Sequence, residues 1–370
     1  MSESTAGVLG LGVALPAHRL DQSRAATHAA DRSAQNAKQR AVVERLYARS
    51  GIERRPVVLG EFVGDDDAPL LSRPSDANDP GPTTAARLAR YRQHAPGLAE
   101  RAGRAALDRA GVPPERVTHL VTASCTGFHA PNVDIALIDR LGLPRSTRRT
   151  HVGYMGCHAA LNALRVADAL ARVEPDAVVL VVAVEVCSIH LAYGWDAQAM
   201  VSNALFGDAA AAAVVSTDRP ADAPFTLIDQ TSAVLPDTHD AMTWAITDHG
   251  FRMSLSNRVP DLIRGTLKPV VDEMLACHGL SVGKIDHWAI HPGGPNIITA
   301  VGDALALDDD DLASSRGVLR ELGNLSSPTV LVLLDRIAEA TTTGQRCVVL
   351  AFGPGLTIEA ALLGCGGRAG

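Results

Sequence analysis

The feature that most constrains this chain is its alternation, from end to end, of short apolar β-rich runs with longer Ala/Leu-rich stretches of helical period. A run such as Ala177–Val184 holds no polar position, which suits a strand buried within a layered structure. The pattern predicts strands at Gly7–Ala14, Thr118–Ala123, Ala177–Val184 and Ala209–Ser216. Between them it predicts a helix capped by Asp21 and running through about Ala30, then helices at Ala37–Arg49, Thr84–Ala110, Asn132–Leu141 and Cys157–Arg172. The segment Gly60–Thr84, with Asp65-Asp66-Asp67, Pro69, Pro74, Pro80, Gly81 and Pro82, reads as a surface loop. A second half begins near Asp222, with strands at Phe225–Leu235, Phe251–Leu255, His287–Ile290, Arg346–Ala351 and Thr357–Leu363. Its helices run from an Asn257 cap through Cys277, then over Pro295–Leu305, Asp309–Leu322 and Ser327–Thr341. Strands alternating with helices in both halves argue for mostly parallel or mixed sheets covered by helices, an α/β chain divided into 1–221 and 222–370.

Composition narrows the class. At 370 residues and 46% hydrophobic the chain can bury a large core, and with only 4% aromatics that core is mostly Ala, Val and Leu. A net charge of −7 argues against a nucleic-acid surface. Met1-Ser2-Glu3-Ser4-Thr5 lacks a basic leader pattern, and Ala177–Val186 is too short to span a bilayer and contains Glu185. The six cysteines, Cys125, Cys157, Cys187, Cys277, Cys347 and Cys365, form no CxxC pair, so neither zinc nor a disulfide framework is suggested. A reduced cytoplasmic enzyme without membrane insertion is the simplest expectation. His129, His158, His190 and His249 have no metal-ligand spacing, and His158 reads as packing. Gly10-x-Gly12 lacks the rest of a dinucleotide fingerprint, so NAD binding is rejected. Asp308–Asp311 reads as a solvated helix start.

Three residues carry chemistry. Cys157 lies in Gly153-Tyr154-Met155-Gly156-Cys157-His158-Ala159-Ala160, at a helix start. Unpaired N–H groups there and a nearby imidazolium could lower the thiol pKa from its usual value of about 8.5. Small neighbours let backbone approach the sulfur. An inert buried Cys is the competing reading. His291 ends a strand-like run in Trp288-Ala289-Ile290-His291-Pro292-Gly293-Gly294-Pro295, where α/β sites form, or it is a satisfied strand-end histidine. Asn324, in Leu322-Gly323-Asn324-Leu325-Ser326-Ser327-Pro328, is either an amide donor or a helix cap. A thiol, an imidazole and an amide on three such ends can converge on one pocket and stabilise an oxyanion or carbanion.

At these residues the sequence resembles the type III polyketide synthases, the chalcone synthase family. Ala351-Phe352-Gly353-Pro354-Gly355-Leu356-Thr357-Ile358-Glu359 is similar to the family's GFGPG signature, with Ala351 for the first Gly. Leu205-Phe206-Gly207-Asp208 resembles the segment bearing a gatekeeper phenylalanine. The resemblance implies a thiolase-like fold of two pseudo-symmetric layered αβαβα halves, a homodimer, and Cys157, His291 and Asn324 as catalytic residues. It implies no resident cofactor, with acyl-CoA and malonyl-CoA as substrates. Arg45 and Arg49 match positions that hold the CoA phosphates, a third standing here as Val42; a solvated basic face is the alternative. Cavity positions carry Phe206, Ser326, Met253 for a second gatekeeper phenylalanine, Trp244 for Gly, and Cys125 and His190 for Thr. These imply a medium or long aliphatic starter, or malonyl priming toward a naphthol; simple repacking of Trp244 against Met253 is the bland alternative. The product class implied is a pyrone, resorcinol or naphthol. A carrier-protein-dependent ketoacyl synthase and an inactive assembly partner are the rival functions.

Overall fold

A computed structural model describes residues 5–65, 69–174 and 176–366. Met1–Ser4 and the Asp66 and Asp67 of the acidic run lie outside the described residues. In the first half the strands are β1 (Gly7–Ala14), β2 (His18–Asp21), β3 (Arg54–Val57), β4 (His119–Ser124), β5 (Arg148–Gly153), β6 (Val178–Glu185) and β7 (Ala209–Ser216). The helices are α1 (Gln22–Ser33), α2 (Ala37–Ala48), α3 (Thr84–Ala110), α4 (Val133–Leu141), α5 (Ala159–Val173) and α6 (Ala197–Leu205). The second half adds β8 (Phe225–Val234), β9 (Met242–Thr247), β10 (Gly250–Leu255), β11 (His287–Ile290), β12 (Arg346–Gly353) and β13 (Thr357–Cys365). With them come α7 (Val259–Ala276), α8 (Pro295–Leu305), α9 (Asp309–Leu322) and α10 (Thr329–Ile337).

Nine strands form one mixed sheet in the order β11-β12-β13-β8-β1-β7-β6-β4-β5. Its halves meet where β1 pairs with β8 at only Gly7↔Thr226 and Val8↔Phe225. Strand alternation then builds separate cores. Leu180, Val182 and Val184 of β6 face the cluster shared with α1, α3 and α4. Val179, Val181 and Ala183 face a central cluster that takes residues from α5, α10, β12 and β13. A third cluster covers the far face with α7 and α8. The sequence of layers is therefore helix, sheet, helix, sheet, helix, with α5 and α10 in the middle. Continuous apolar strands follow from burial on both faces.

Small residues set the spacing. A Cβ at Gly12 would stand 2.2 Å from the Ala102 carbonyl oxygen, and one at Gly10 would stand 2.5 Å from that of Ala106. Gly10-x-Gly12 is thus where α3 lies against β1. Asp308 accepts from the Asp310 and Asp311 amides, and the Asp311 carboxylate accepts from the Asp308 N–H, closing a capping box at the solvated start of α9.

Several expectations change. Cys157 sits in a 3-10 turn, Gly156–His158, just ahead of α5 rather than inside it. Arg258, not Asn257, is the residue before α7, and no side chain caps it. The helix expected over Ser327–Thr341 shortens to α10, because Ser326 has φ 57° and Pro328 opens the turn. The loop Gly60–Thr84 includes a 3-10 turn at Gly60–Phe62 and buries Phe62 and Leu71. The pattern missed β2, β3, β5, β9 and α6. The first three all carry arginine, and β5 is a largely exposed edge strand.

Candidate active site

The two helices of the central layer, α5 and α10, begin at the same place, and each brings one candidate residue there. Gly156 has φ 76°, and a Cβ on it would lie 2.4 Å from Pro354 Cδ. A Cβ on Gly353 would lie 2.2 Å from the His158 ring. The Gly353-Pro354-Gly355 turn therefore packs directly on the turn carrying Cys157, which gives that C-terminal motif its physical reason. His158 itself is buried, with Nδ1 2.6 Å from Asn162 Oδ1; Asn162 donates to Glu359 at 3.0 Å, and Glu359 pairs with Arg165. It braces the two halves, in keeping with a packing role.

Asn324 is held from both sides of Phe206. Its N–H donates to the Leu205 carbonyl and its own carbonyl accepts from the Gly207 N–H, both at 2.9 Å. The preceding Gly323 has φ 71°, and a Cβ there would come 2.7 Å from the Leu205 oxygen. The Asn324 Oδ1 accepts the Ser326 N–H at 2.8 Å, so its amide NH2 is left to donate toward the Cys157 sulfur. Asn324 is therefore not a helix cap. The Ser326 hydroxyl lies 3.7 Å from Cys157 Sγ. His291 follows β11, anchored by its N–H to the Leu350 carbonyl at 2.8 Å. Its ring is 1% exposed, and neither ring nitrogen has a hydrogen-bond partner among the described residues. A buried imidazole with both nitrogens unpaired is costly to keep and is seldom merely structural.

These residues border two adjoining cavities. One, of about 110 Å³, is lined by Cys125, Cys157, Cys187, His190, Phe206, Trp244, Met253 and Ser326. The other, of about 470 Å³, is lined by Cys157, Phe206, Met253, His291, Asn324 and Arg49. Phe206 and Met253 stand at both. Met253 and Trp244 are direct register partners in the β9–β10 hairpin. Arg49 and Arg45 are exposed and form no ion pair among the described residues; Arg49 reaches the second cavity, whereas Arg45 lies outside its lining.

Electrostatics departs from the expectation of a thiol pKa lowered outright. Burial pushes the Cys157 thiol up to about 12, against the pull of hydrogen bonds from Ser326 and Asn324. Burial pushes His291 down to about 3. Each group alone thus favours its neutral form. A charged form of either group would need an opposite charge close by to offset its desolvation, and Cys157 and His291 line the same second cavity.

His190 is only partly buried, yet it too is depressed to about 3, chiefly by desolvation. Its nitrogens, however, are committed: Nε2 lies 2.8 Å from the Thr126 carbonyl, and Nδ1 takes the Phe251 N–H at 3.2 Å. Its ring stacks on Phe251 with centroids 4.1 Å apart. It serves as a flat wall. Sequence reasoning missed Glu185, noted only as a charge in an apolar run. It is fully buried and accepts from the Cys125 and Thr126 amides and from the Thr126 and Ser327 hydroxyls. It ties the β4 turn to the Asn324 loop. The available signal was its place, a carboxylate ending the apolar run of β6. Among the described residues no group of His, Cys, Asp and Glu has the arrangement of a metal site, and no helix is long and apolar enough to cross a membrane.

Comparison with known proteins gives a uniform picture. The family model for the N-terminal domain of chalcone and stilbene synthases matches residues 1–219, and that for the C-terminal domain matches 226–365. An alpha-pyrone synthesis polyketide synthase-like protein, Pks18 of Mycobacterium tuberculosis, is 33% identical over 97% of this chain and 91% of its own length. The 1,3,6,8-tetrahydroxynaphthalene synthase of Streptomyces peucetius subsp. caesius is 35% identical over 96% and 92%. The crystal structure of PKS-I from the brown alga Ectocarpus siliculosus superposes with a TM-score of 0.92 at 30% identity, over 99% of both chains.

Proposed function

The chain belongs to the chalcone and stilbene synthase family and is a type III polyketide synthase with a thiolase-like fold, and on that premise we propose roles for its residues. Cys157 Sγ attacks the carbonyl carbon of an acyl-CoA thioester while His291 takes the thiol proton. The tetrahedral oxyanion collapses, the C–S bond to coenzyme A breaks, and the leaving thiolate recovers the proton. Malonyl-CoA then enters, and loss of CO2 leaves an enolate. Its oxygen accepts hydrogen bonds from His291 and from the Asn324 amide. The enolate carbon attacks the Cys157 thioester, forming the new C–C bond and releasing the Cys157 thiolate. The observation that carries this reading is the pair of unpartnered His291 nitrogens beside an Asn324 amide held toward Cys157. Preorganised donors of this kind are worth several kcal/mol at a developing oxyanion.

Coenzyme A delivers the units, with Arg49 and Arg45 as the phosphate contacts, and no resident cofactor takes part. The starter is a medium or long aliphatic acyl group, released as a cyclised pyrone or resorcinol. Malonyl priming toward a naphthol is the second reading, supported by similarity to a tetrahydroxynaphthalene synthase. The enzyme works as a homodimer. Phe128, Tyr154 and Met155 are large exposed apolar side chains clustered beside the edge strand β5, a surface of the kind that partners cover. Its free cysteines suit a reducing cytoplasm. Incubating the purified protein with a panel of acyl-CoAs and malonyl-CoA, read by mass spectrometry, tests the reading. Release of no extended product from any starter would overturn it.

A further inference from the structure

The hairpin β9–β10 supplies Trp244, Phe251 and Met253 to the cavity, yet it is not part of the nine-stranded sheet. Something else must hold it. Its turn is pinned to the start of α3 in the other half of the chain. The Thr84 N–H donates to the Asp248 carbonyl at 2.8 Å, the Thr84 hydroxyl donates to the Thr247 carbonyl, and the Gly250 N–H donates to that hydroxyl at 2.7 Å.

One turn along α3 lies Arg87, whose side chain is completely buried. Its guanidinium faces carbonyls instead of a carboxylate. Nη1 donates to the Ile189 carbonyl and, at 3.0 Å, to that of Leu191, the two residues flanking His190; Nε donates to the Pro82 carbonyl at 3.0 Å. Its stem fills the space beside Gly250. That glycine has φ 110°, and a Cβ there would sit 3.0 Å from Arg87 Cδ. Phe251, the next residue, stacks on His190 and donates its N–H to it, and Trp244 packs edge-on against Phe251 at 4.5 Å. Burying a cation is costly unless hydrogen bonds offset it, and here backbone carbonyls do so without a carboxylate. Arg87 fastens one face of the cavity wall from behind, while α3 is itself seated against Gly10 and Gly12 of β1.

We infer that Arg87 is a positioning residue for substrate choice: by gripping both sides of His190 and the foot of the β9–β10 hairpin, it sets the width of the acyl cavity although it lines neither cavity. The inference rests on reading that cavity as the acyl site. Arg is needed because Nη1 holds the Ile189 and Leu191 carbonyls while Nε holds that of Pro82, and a Lys ammonium offers no second nitrogen for the third contact.

The test uses the full-length wild type, Arg87→Met, Arg87→Lys and Thr84→Val. Products and kcat/KM are measured with hexanoyl-CoA and palmitoyl-CoA plus malonyl-CoA, alongside the rate of Cys157 alkylation by iodoacetamide. Wild-type turnover comes first; its absence refutes the acyl-site reading itself. Given turnover, Arg87→Met should change the hexanoyl-to-palmitoyl ratio of kcat/KM by about tenfold or more, the scale on which cavity width discriminates chains. Arg87→Lys should fall between, and Cys157 alkylation should be unchanged in both. Thr84→Val loosens the same hairpin without stranding a charge and should move the ratio in the same direction, so it decides the matter should Arg87→Met fail to fold. A lower melting temperature with the wild-type ratio retained in the folded variants overturns the inference and leaves Arg87 a stabilising residue only.

Discussion

Two histidines on the walls of adjoining cavities, the buried His291 and the partly exposed His190, differ in how their ring nitrogens are used. Both are pushed down to about 3 by burial. His190 has both nitrogens paired with backbone and its face stacked on Phe251; His291 has neither nitrogen paired. The first region is saturated and defines a shape. The second leaves both ring nitrogens without a hydrogen-bond partner among the described residues, free for the role proposed above. The difference teaches that burial and a displaced pKa do not by themselves mark a reacting group. An unspent hydrogen-bonding capacity, aimed where a nucleophile and an amide also point, does.

The comparison breaks first at the sulfur. Cys157→Ala should lose acylation completely, and brief exposure of the wild type to acyl-CoA should place the adduct on Cys157. Peptide mass spectra showing it on Cys125 or Cys187 would move the chemistry to the other region. Next, His291→Ala should reduce turnover by about a hundredfold or more, as loss of one oxyanion donor does, with little change in thermal stability. His190→Ala should do the reverse: a modest loss of turnover, but about 1–3 kcal/mol of stability for each buried backbone group left unpaired, read from denaturant melts.

The pH dependence sharpens the same contrast. Without its base, a thiol that burial holds up near 12 ionises only as pH climbs. Iodoacetamide inactivation of His291→Ala should therefore keep accelerating through the alkaline range, while the wild type levels off at lower pH. An identical profile in both proteins would remove His291 as the proton acceptor. At the second cavity's mouth, Arg45→Glu with Arg49→Glu should raise KM for malonyl-CoA more than it lowers kcat; an unchanged KM would remove both from the site. The smallest effect is expected at the wall. Trp244→Gly and Met253→Phe should each redistribute products without reducing Cys157 acylation, and wild-type ratios in both would return that hairpin to plain packing.

Much of the molecule was legible because its signals are local. Runs such as β1, α3, β7, β11, α8 and α9 span the very segments their periodicity predicts, since a strand buried on both faces and a helix with one apolar face declare themselves residue by residue. The short edge strand β5 and the β9 strand were not legible because half or more of their residues are exposed and show no apolar alternation, and α6 because it is only nine residues long. Cys157, His291 and Asn324 stood out since each sits beside glycines and prolines that fix an element's end. Arg87 and Glu185 did not, as an arginine in a helix and a glutamate at a strand end look ordinary until their partners are seen.

Local pattern alone carries the alternation of strands and helices, the Ala-rich core, and the three element ends that bear a thiol, an imidazole and an amide. It takes the folded chain to bring the starts of α5 and α10 together, to close Gly353 and Pro354 over Gly156, and to turn the Asn324 amide toward sulfur while its oxygen accepts the Ser326 N–H. The reason is physical: periodicity and turn chemistry act over a few residues, whereas burial, desolvation and hydrogen-bond saturation depend on atoms that the chain brings together from more than a hundred residues apart, as Cys157 and Ser326 are.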